Sequence, residues 1–562
     1  MTDSAPGLLH WPRLLRTLGD GEHPAAPWLA LAAGLLCVLA FAPFALPVLA
    51  LLCLALLFSL WAGTERPRRA AWLGFLFGLG LFGGGVSWVY VSLHTFGGMP
   101  AAMAVLATLA FCAYLALFPA LAGSLQARLP RSTAVPWPRL LLAMPALWLL
   151  GEWLRGWLLT GFPWLGLGYA QSDSALLGYA PLLGMYGCSL LVALAAGLLA
   201  AMLHATRLQA TGTPSKNYTK LLILKGFLLA CLYGGGAMLQ QHEWTTALGE
   251  PLPVALVQGN VAQEMKFDPQ RYAATLATYQ QLIEDSLAPS SAASPAHLPA
   301  RLIVLPETAL PRLLDAIDPA YLEALRQRLH AANADALIGV PLRDRAGQFY
   351  NASFSLGRSP TQFYAKSHLV PLGEFVPPEF AWILQVMSIP LSDFSPPPHA
   401  LQPLPIAGQQ VAVNICYEDA FGEEIIRQLP QATLLVNQSN VAWFGRSLAP
   451  AQHLQIARLR AAEAGRPMLR ATNTGVTALI DHRGQVSAQL PGYQQAVLRG
   501  EVQGRSGSTP YVRWGNRPVL LIAALMLLAA LCLPAVLSNG LMSNAVMANA
   551  ASTSRAAKQP SR

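Results

Sequence analysis

The sequence predicts a multi-pass α-helical membrane domain with eight spans, joined to a water-soluble α/β domain outside the membrane. Three observations lead to this fold class. Charged residues make up only 12% of the 562 residues, against roughly 25% in a typical soluble protein. Apolar runs of about membrane-spanning length recur between residues 1 and 241, and one more lies near the C-terminus. Between residues 251 and 513, short apolar runs alternate with helix-like stretches, as in a layered α/β domain.

Eight apolar runs are predicted to cross the membrane. Pro43 and Pro47 break the chain between the first two, which are short, so one long kinked span is the alternative there. The N-terminal apolar stretch as a whole is long and further spans follow it, so we expect a retained anchor and not a cleaved signal peptide. The predicted spans are residues 28–44, 46–61, 70–91, 100–125, 140–159, 176–203, 221–239 and 519–537.

The basic residues lie in clusters that favour the eight-span topology. A cluster beginning at Arg66 follows the second span, and others follow the fourth, sixth and eighth, whereas loops 92–99 and 160–175 contain no Lys or Arg. With two helices before Arg66, every cluster lies on one side of the membrane. With one kinked helix, Arg13 and Arg16 would lie opposite the rest. The positive-inside rule therefore predicts eight spans with both termini in the cytoplasm.

This topology divides the chain into four predicted parts. Residues 251–515 carry equal numbers of acidic and basic side chains, so the whole net charge of +9 lies in the rest of the chain. Membrane topology explains that excess, and we expect no nucleic-acid binding. The parts are a membrane domain at 1–240 with spans 1–7, a periplasmic domain at 241–515, the eighth span at 516–540 and a disordered cytoplasmic tail at 541–562.

The periplasmic domain is predicted to contain eight strands and four helices. The strands are residues 253–258, 301–305, 336–340, 350–356, 411–415, 433–436, 468–471 and 477–481. The helices are residues 269–283, 319–332, 421–428 and 449–464.

Cys416 is the one cysteine of seven that lies in the polar part of the sequence, since the other six lie in long apolar stretches. A domain with a single cysteine forms no internal disulfide, even in a compartment that favours disulfides. A thiol at the end of a predicted strand, followed by Glu418 and Asp419, fits a nucleophile. A buried structural cysteine fits the position equally well.

Chemically useful side chains follow three predicted strands. Glu307 directly follows one strand, Lys366 lies in the loop after another, and Cys416 follows a third. Each has a plain structural explanation, as a helix cap, a surface charge and a core thiol respectively. The carboxyl ends of strands form the active-site edge of an open α/β sheet, so the three could converge there.

Together, a carboxylate, an ammonium and a thiol predict nucleophilic catalysis. The thiolate is the attacking form of cysteine, and a carboxylate can take its proton as a general base. A nearby ammonium stabilises both the thiolate and the oxyanion that forms after attack on a carbonyl.

These residues lie in motifs that resemble the nitrilase superfamily, with its Glu-Lys-Cys triad in this order. The full layout is similar to the bacterial apolipoprotein N-acyltransferases, a family of integral inner-membrane enzymes, from about residue 28 to 537. The matching stretches are TGFPWL at 160–165, VQGN at 257–260, LPET at 305–308, Tyr350-Asn351, KSHLVPLGEFVP at 366–377, Cys416-Tyr417-Glu418 and AWFG at 442–445.

The resemblance implies a nitrilase-like αββα sandwich and a ping-pong acyl transfer. In this family a phospholipid donates an acyl chain to the thiol as a thioester, and the α-amino group of an apolipoprotein's diacylglyceryl-cysteine then accepts it. Glu307 is then the base, Lys366 the oxyanion partner and Cys416 the nucleophile. Asn351, Glu374, Tyr417, Glu418, Trp443 and Phe267 match further positions that support the site.

We expect a membrane protein that uses no cofactor and works as a monomer, although nothing in the sequence indicates its oligomeric state. The scattered histidines show no metal-ligand spacing, and no phosphate-binding glycine loop precedes a helix. Three positions depart from the family pattern. Phe267 stands where the family usually has Trp, and Val441 and Arg446 stand where acidic residues are frequent. These departures affect the expected lipid preference and not the chemistry.

Two other functions fit part of the pattern. A membrane-tethered amidase or nitrilase would share the triad and use water as the acceptor of the acyl group. A transporter or sensor could use residues 251–515 as a binding module, but the spans contain few ionisable groups and the triad would have no purpose.

Overall fold

The computed structural model describes residues 19–129, 137–210, 218–266, 268–289, 298–376, 393–398 and 402–533. Phe267 and the predicted tail at 541–562 lie outside these residues. The N-terminal part consists of apolar helices: α1 (Ala26–Cys37), α2 (Pro47–Ala62), α3 (Pro67–Gly85), α4 (Ala101–Arg128), α5 (Met144–Arg155), α6 (Ala180–Ala210) and α7 (Tyr218–Gln240).

Helices lie at the predicted spans, but fewer than eight are long enough to cross a membrane on their own. Among the described residues, Ala101–Arg128, Ala175–Arg207 and Tyr218–Gln240 are long and apolar enough. A fourth is added if Pro67–Gly85 and Val89–Phe96, bent by 55°, form one span. Ala26–Ala40, Pro47–Ala62 and Arg517–Leu533 are shorter apolar helices. The count of eight spans therefore stays a prediction.

Large apolar side chains are exposed along several of these helices. The exposed faces belong to α4, α7 and the C-terminal helix Arg517–Leu533. So much exposed apolar surface is unfavourable in water, whereas a lipid bilayer covers it without cost. These helices are therefore suited to a membrane. The side chains include Leu106, Leu109, Leu117, Ile223, Leu224, Phe227, Leu521, Leu525 and Leu528.

The α/β domain contains two six-stranded sheets. The first has the order β13-β2-β3-β4-β5-β6 and the second β12-β11-β10-β9-β8-β7, and a separate two-stranded pair joins β1 to β14. In chain order the strands are β1 (Thr246–Ala247), β2 (Leu252–Gln258), β3 (Leu302–Val304), β4 (Asp335–Arg343), β5 (Phe349–Gly357), β6 (Phe363–Ala365), β7 (Leu404–Ile406), β8 (Gln409–Ile415), β9 (Leu434–Ser439), β10 (Met468–Thr472), β11 (Ala478–Ile480), β12 (Val486–Gln489), β13 (Ala496–Val502) and β14 (Arg505–Ser506).

Alternate residues of each sheet build the layers of the domain. Side chains such as Val254 and Val304 of the first sheet pack against Val413 and Val436 of the second. The opposite faces pack against helices: α8 (Tyr272–Leu287) and α9 (Pro319–Ala331) on the first sheet, α10 (Ala449–Ala464) on the second. The layers therefore form the expected αββα sandwich, and both faces of every central strand are buried in it.

All eight predicted strands correspond to strands of the two sheets, and three of the four predicted helices are α8, α9 and α10. At the fourth, residues 421–428, the structure has only a four-residue α-helix, Gly422–Ile425, followed by a 3₁₀ turn, Ile426–Gln428. The prediction missed β6, β7, β12 and β13 within these sheets. Strands β6 and β7 have three residues each, too few to show a period.

Helix α10 is buried on two sides, since it lies between the second sheet and the membrane helices. Ala457 and Ala461 pack on the sheet, whereas Ile456 and Leu459 pack among the membrane helices. Gln452, also on α10, is bonded to three groups of the membrane part. Its Oε1 accepts from Trp164 Nε1 (2.7 Å) and Trp88 Nε1 (3.2 Å), and its Nε2 donates to the Gly85 carbonyl (3.1 Å).

Gln452→Leu is expected to destabilise the packing of α10 against the membrane helices. Leucine leaves these buried polar groups without a partner, which costs about 1–3 kcal/mol for each lost partner. Thermal unfolding in detergent should show a clearly lower Tm. Gln281→Leu, at an exposed side chain of α8, is the matched control. Equal Tm values for the two variants would contradict the role given to Gln452.

Candidate active site

Glu307, Lys366 and Cys416 lie at one edge of the sandwich, because each follows a strand that ends there. Strands β3 and β4 are parallel, and β6 runs the same way as β4 because β5 is antiparallel to both. In the second sheet, β8 and β9 are parallel. Asn440, after β9, donates its backbone N–H to Glu307 Oε2 (2.8 Å), so the edges of the two sheets meet.

The Glu307 carboxylate is held on both oxygens. Its Oε1 accepts from Asn351 Nδ2 (2.7 Å), and its Oε2 accepts the Asn440 N–H. Lys366 Nζ lies 4.0 Å from Oε1. The backbone is also fixed, since Lys266 Nζ donates to the Glu307 carbonyl (3.0 Å). A carboxylate held in this way and largely buried is suited to take a proton from a neighbouring group.

Lys366 is a buried cation between two carboxylates. Its Nζ donates to Glu374 Oε1 at 2.8 Å, and Asn351 Nδ2 bridges Glu374 Oε1 (2.7 Å) and Glu307. Burial alone would lower the pKa of Lys366, but the charges of Glu374 and Glu307 outweigh it and raise that pKa above its usual range. Lys366 therefore remains an ammonium, the form that stabilises an oxyanion.

Cys416 has an unusual backbone and a thiol that stays protonated at rest. Its φ is +53°, in the left-handed region that residues other than glycine rarely adopt. Burial raises the pKa of the Cys416 thiol, and the charge of Glu307 raises it further, while Lys366 acts in the opposite direction. A thiol in this state needs a base before it can act as a nucleophile, and the Glu307 carboxylate is near enough for its charge to act on the thiol.

The Glu418 carboxylate connects the loop after β6 to the loop after β8 through hydrogen bonds. Its Oε2 accepts from Tyr364 Oη (2.8 Å) and the Ile415 N–H (2.6 Å). Its Oε1 accepts from the N–H (2.7 Å) and Oγ (2.8 Å) of Ser367 and from the His368 N–H (3.2 Å). Since these loops carry Lys366 and Cys416, Glu418 positions one relative to the other.

Glu418→Gln is expected to lower kcat for a reaction at the Cys416 thiol by about 100-fold, since a displacement of about 1 Å has this effect. The amide NH₂ of glutamine would face N–H and O–H donors, so buried groups would lose their acceptor and the Tm would fall. Initial rates and thermal unfolding of the purified variant test both effects. Glu501→Gln, at an exposed carboxylate of β13, is the control. Wild-type kcat in the Glu418 variant would contradict this positioning role.

Tyr417 and Trp443 connect the site to the membrane part of the chain. Tyr417 Oη donates to the Gly161 carbonyl (3.0 Å), and its ring packs on Phe162, with ring centroids 6.2 Å apart. The Trp443 carbonyl accepts from Ser92 Oγ (2.8 Å). Both contacts join strand-end loops to the segments between membrane helices, so the site lies next to the membrane part of the chain.

Two charged residues of α5 hold the loop against which Tyr417 packs. Glu152 Oε1 accepts from the Leu167 N–H (3.0 Å). Arg155 Nη1 donates to the carbonyls of Trp164 (2.6 Å) and Phe162. These two side chains provide hydrogen-bond partners for backbone groups of the loop that follows α5.

Of the three departures, two lie within the described residues. Val441 is fully buried, and the guanidinium of Arg446 lies over the ring of Tyr493, 4.4 Å from its centroid. Phe267 lies outside the described residues, although Lys266 next to it reaches Glu307.

The prediction missed several residues of the site. Asn440 follows β9 and could have been found by the rule that identified Glu307. Lys266 ends the short helix Gln263–Lys266, where nothing in the pattern distinguishes it from an ordinary helix residue. Within the described parts of the chain, no group of three or more His, Cys, Asp or Glu could hold a metal ion.

Comparison with known proteins found two matching family models. The apolipoprotein N-acyltransferase N-terminal domain matches residues 33–198, and carbon-nitrogen hydrolase matches residues 253–511. A protein of Nitrosomonas europaea is 49% identical over 503 residues, which cover 89% of this chain and 95% of that protein. A protein of Chromobacterium violaceum is 44% identical over 500 residues, with 88% and 91% covered. Both are named apolipoprotein N-acyltransferase.

Proposed function

Since the chain belongs to the apolipoprotein N-acyltransferase family, we propose that it transfers an acyl chain from a membrane phospholipid to an apolipoprotein. The acceptor is the α-amino group of the N-terminal diacylglyceryl-cysteine. The observation that supports this most strongly is the meeting of Glu307, Lys366 and Cys416 at a strand edge that contacts the apolar helices.

In the first half of the reaction, Cys416 Sγ attacks the carbonyl carbon of a phospholipid ester. Its proton passes to Glu307, and the negative charge that develops on the carbonyl oxygen is stabilised by the Lys366 ammonium. The tetrahedral intermediate then breaks its bond to the glycerol oxygen. That oxygen takes the proton from Glu307 and leaves as a lysophospholipid, with the acyl chain held on Cys416 as a thioester.

In the second half, the amine of the acceptor attacks the thioester carbonyl. Glu307 takes a proton from the attacking nitrogen, and Lys366 again faces the oxyanion. The carbon–sulfur bond breaks, the proton returns to the sulfur, and an amide is released. One base serves both halves, because each half removes one proton and returns one.

We also propose how the chain is arranged in the membrane. The protein lies in the bacterial inner membrane with eight spans, both termini in the cytoplasm and residues 241–515 in the periplasm. We propose that it works as a monomer and takes both substrates from the bilayer. The exposed apolar faces of α4 and α7, and the contacts of Tyr417 and Trp443 with membrane segments, support a lipid route to the thiol.

Purified protein tests this function with a phospholipid and a diacylglyceryl-cysteine peptide. We expect equal amounts of N-acylated peptide and lysophospholipid. A peptide whose α-amino group is acetylated is the matched control and should give no acylated product. Rapid release of ammonia from small amides without peptide acylation would instead support a membrane-tethered amidase and refute the proposal.

A further inference from the structure

A closed ring of hydrogen bonds lies behind the nucleophile. His453 Nε2 lies 3.1 Å from the Cys416 carbonyl oxygen and 2.8 Å from Asp419 Oδ1. Arg470 Nη1 donates to Asp419 Oδ2 (3.2 Å) and to Asn437 Oδ1 (2.6 Å). Asn437 Nδ2 donates to the Cys416 carbonyl (3.1 Å), which closes the ring.

The four side chains come from four elements and are all buried. His453 belongs to α10, Arg470 to β10, Asn437 to β9, and Asp419 to the turn after Cys416. None is more than 1% exposed. The bonds of the ring satisfy its carboxylate and amide groups, whereas Arg470 Nε and Nη2 have no hydrogen-bond partner in the part of the chain that the structure describes.

His453 enters the ring as a neutral donor. Burial and the charge of Arg470 lower its pKa, although Asp419 acts against them. Both partners of Nε2 are acceptors, so Nε2 carries the proton. Nδ1 has no hydrogen-bond partner in the described part of the chain, which fits a nitrogen without a proton. With a neutral His453, the negative charge of Asp419 in the ring is balanced by the positive charge of Arg470.

The ring holds the peptide group that sets the direction of the thiol. Cys416 has φ +53°, a conformation that persists in a residue with a side chain only when its surroundings enforce it. Its carbonyl accepts from both His453 and Asn437, which fixes the plane of the following peptide. The Cα–Cβ bond starts from the same backbone, so this conformation sets the direction in which the side chain that carries Sγ leaves the chain.

We propose that His453, together with Asp419, Arg470 and Asn437, is a positioning network that holds Cys416 in its attacking conformation. The proposal rests on the function given to Cys416 above. The four residues act through the backbone of Cys416, and not on substrate. They should therefore set the rate of acylation without affecting the affinity for phospholipid.

Two substitutions of His453 test the network in the full-length protein. His453→Leu removes the donor, and His453→Gln keeps an N–H near the position of Nε2. We expect His453→Leu to lower kcat for acylation of Cys416 by about 100-fold with KM unchanged. His453→Gln should restore most of the rate. A folded His453→Leu variant that acylates at the wild-type rate would overturn the proposal.

Asn437→Asp decides the question if His453→Leu does not fold. This nearly isosteric change replaces the donor to the Cys416 carbonyl by an acceptor and keeps an oxygen for Arg470. We expect the same fall in kcat with KM unchanged, and a folded variant with wild-type kcat would overturn the proposal. Asp335→Asn is the matched control, because Asp335 is a buried carboxylate at the start of β4 that binds Ser359 and Ala407.

Alkylation of Cys416 by iodoacetamide separates this proposal from the proposed function, because it requires no lipid substrate. Mass spectrometry of the Cys416 peptide gives the rate of alkylation. We expect a changed rate in His453→Leu and in Asn437→Asp, and the wild-type rate in Asp335→Asn. Unchanged alkylation in both folded ring variants would overturn the positioning role even if the wild-type protein had another substrate.

Discussion

Cys416→Ala is expected to abolish acyl transfer while the protein still folds and inserts into the membrane. Loss of a nucleophile removes the covalent route, and the rate should fall by at least about 10⁴-fold. Removing one sulfur atom at a partly exposed position leaves a small side chain and little strain. Cys416→Ser should also be inactive, because a serine hydroxyl is far less acidic than a thiol and Glu307 would not deprotonate it readily.

Rates of peptide N-acylation and the Tm of each variant test this prediction. Cys231→Ala, at an exposed cysteine of α7, is the matched control and should keep wild-type activity. Transfer by a folded Cys416→Ala variant at more than a trace rate would show that the acyl chain does not pass through this thiol.

Glu307→Gln is expected to lower kcat for both halves of the reaction by about 10³-fold, within the range typical of general-base catalysis. The side chain keeps its shape but no longer accepts a proton. The raised pKa of Cys416 makes the base essential, since little thiolate forms without one. The side-chain NH₂ of the introduced glutamine would also face another donor, either Asn351 Nδ2 or the Asn440 N–H. The Tm should therefore fall slightly.

Single-turnover measurements separate the two halves for this variant. Acylation of Cys416 is followed with phospholipid alone, and deacylation is followed after addition of the acceptor peptide. Glu323→Gln, at an exposed carboxylate of α9, is the control. If only one half were slowed, Glu307 would not be the base for both.

The apolar pattern was sufficient to predict an α/β layered domain, and strand ends pointed to the three groups that the structure brings to one edge of it. Strands such as β2 and β8 contain short, mainly apolar runs because they are buried on both faces. Glu307 and Cys416 were found because each directly follows such a run. Strand β13 was missed because Arg499, Gly500 and Glu501 interrupt its apolar pattern at the edge of the first sheet.

The contacts that organise the site could not be predicted in this way. Glu374 lies eight residues after Lys366, and only the fold of the intervening loop brings their charges together. His453 lies on a helix whose bounds were predicted correctly, yet its contact with the Cys416 carbonyl depends on how α10 packs against the second sheet. Such contacts depend on tertiary packing and leave no period in the sequence.

The most direct test of the thioester route is the mass of the Cys416 peptide after the purified protein meets a phospholipid with an isotope-labelled acyl chain. We expect a mass increase of one labelled acyl chain on Cys416, in a bond that neutral hydroxylamine cleaves. Addition of the diacylglyceryl-cysteine peptide should then remove the label from Cys416 and place it on the α-amino group of the peptide. Appearance of labelled peptide in a single turnover without label on Cys416 would contradict it.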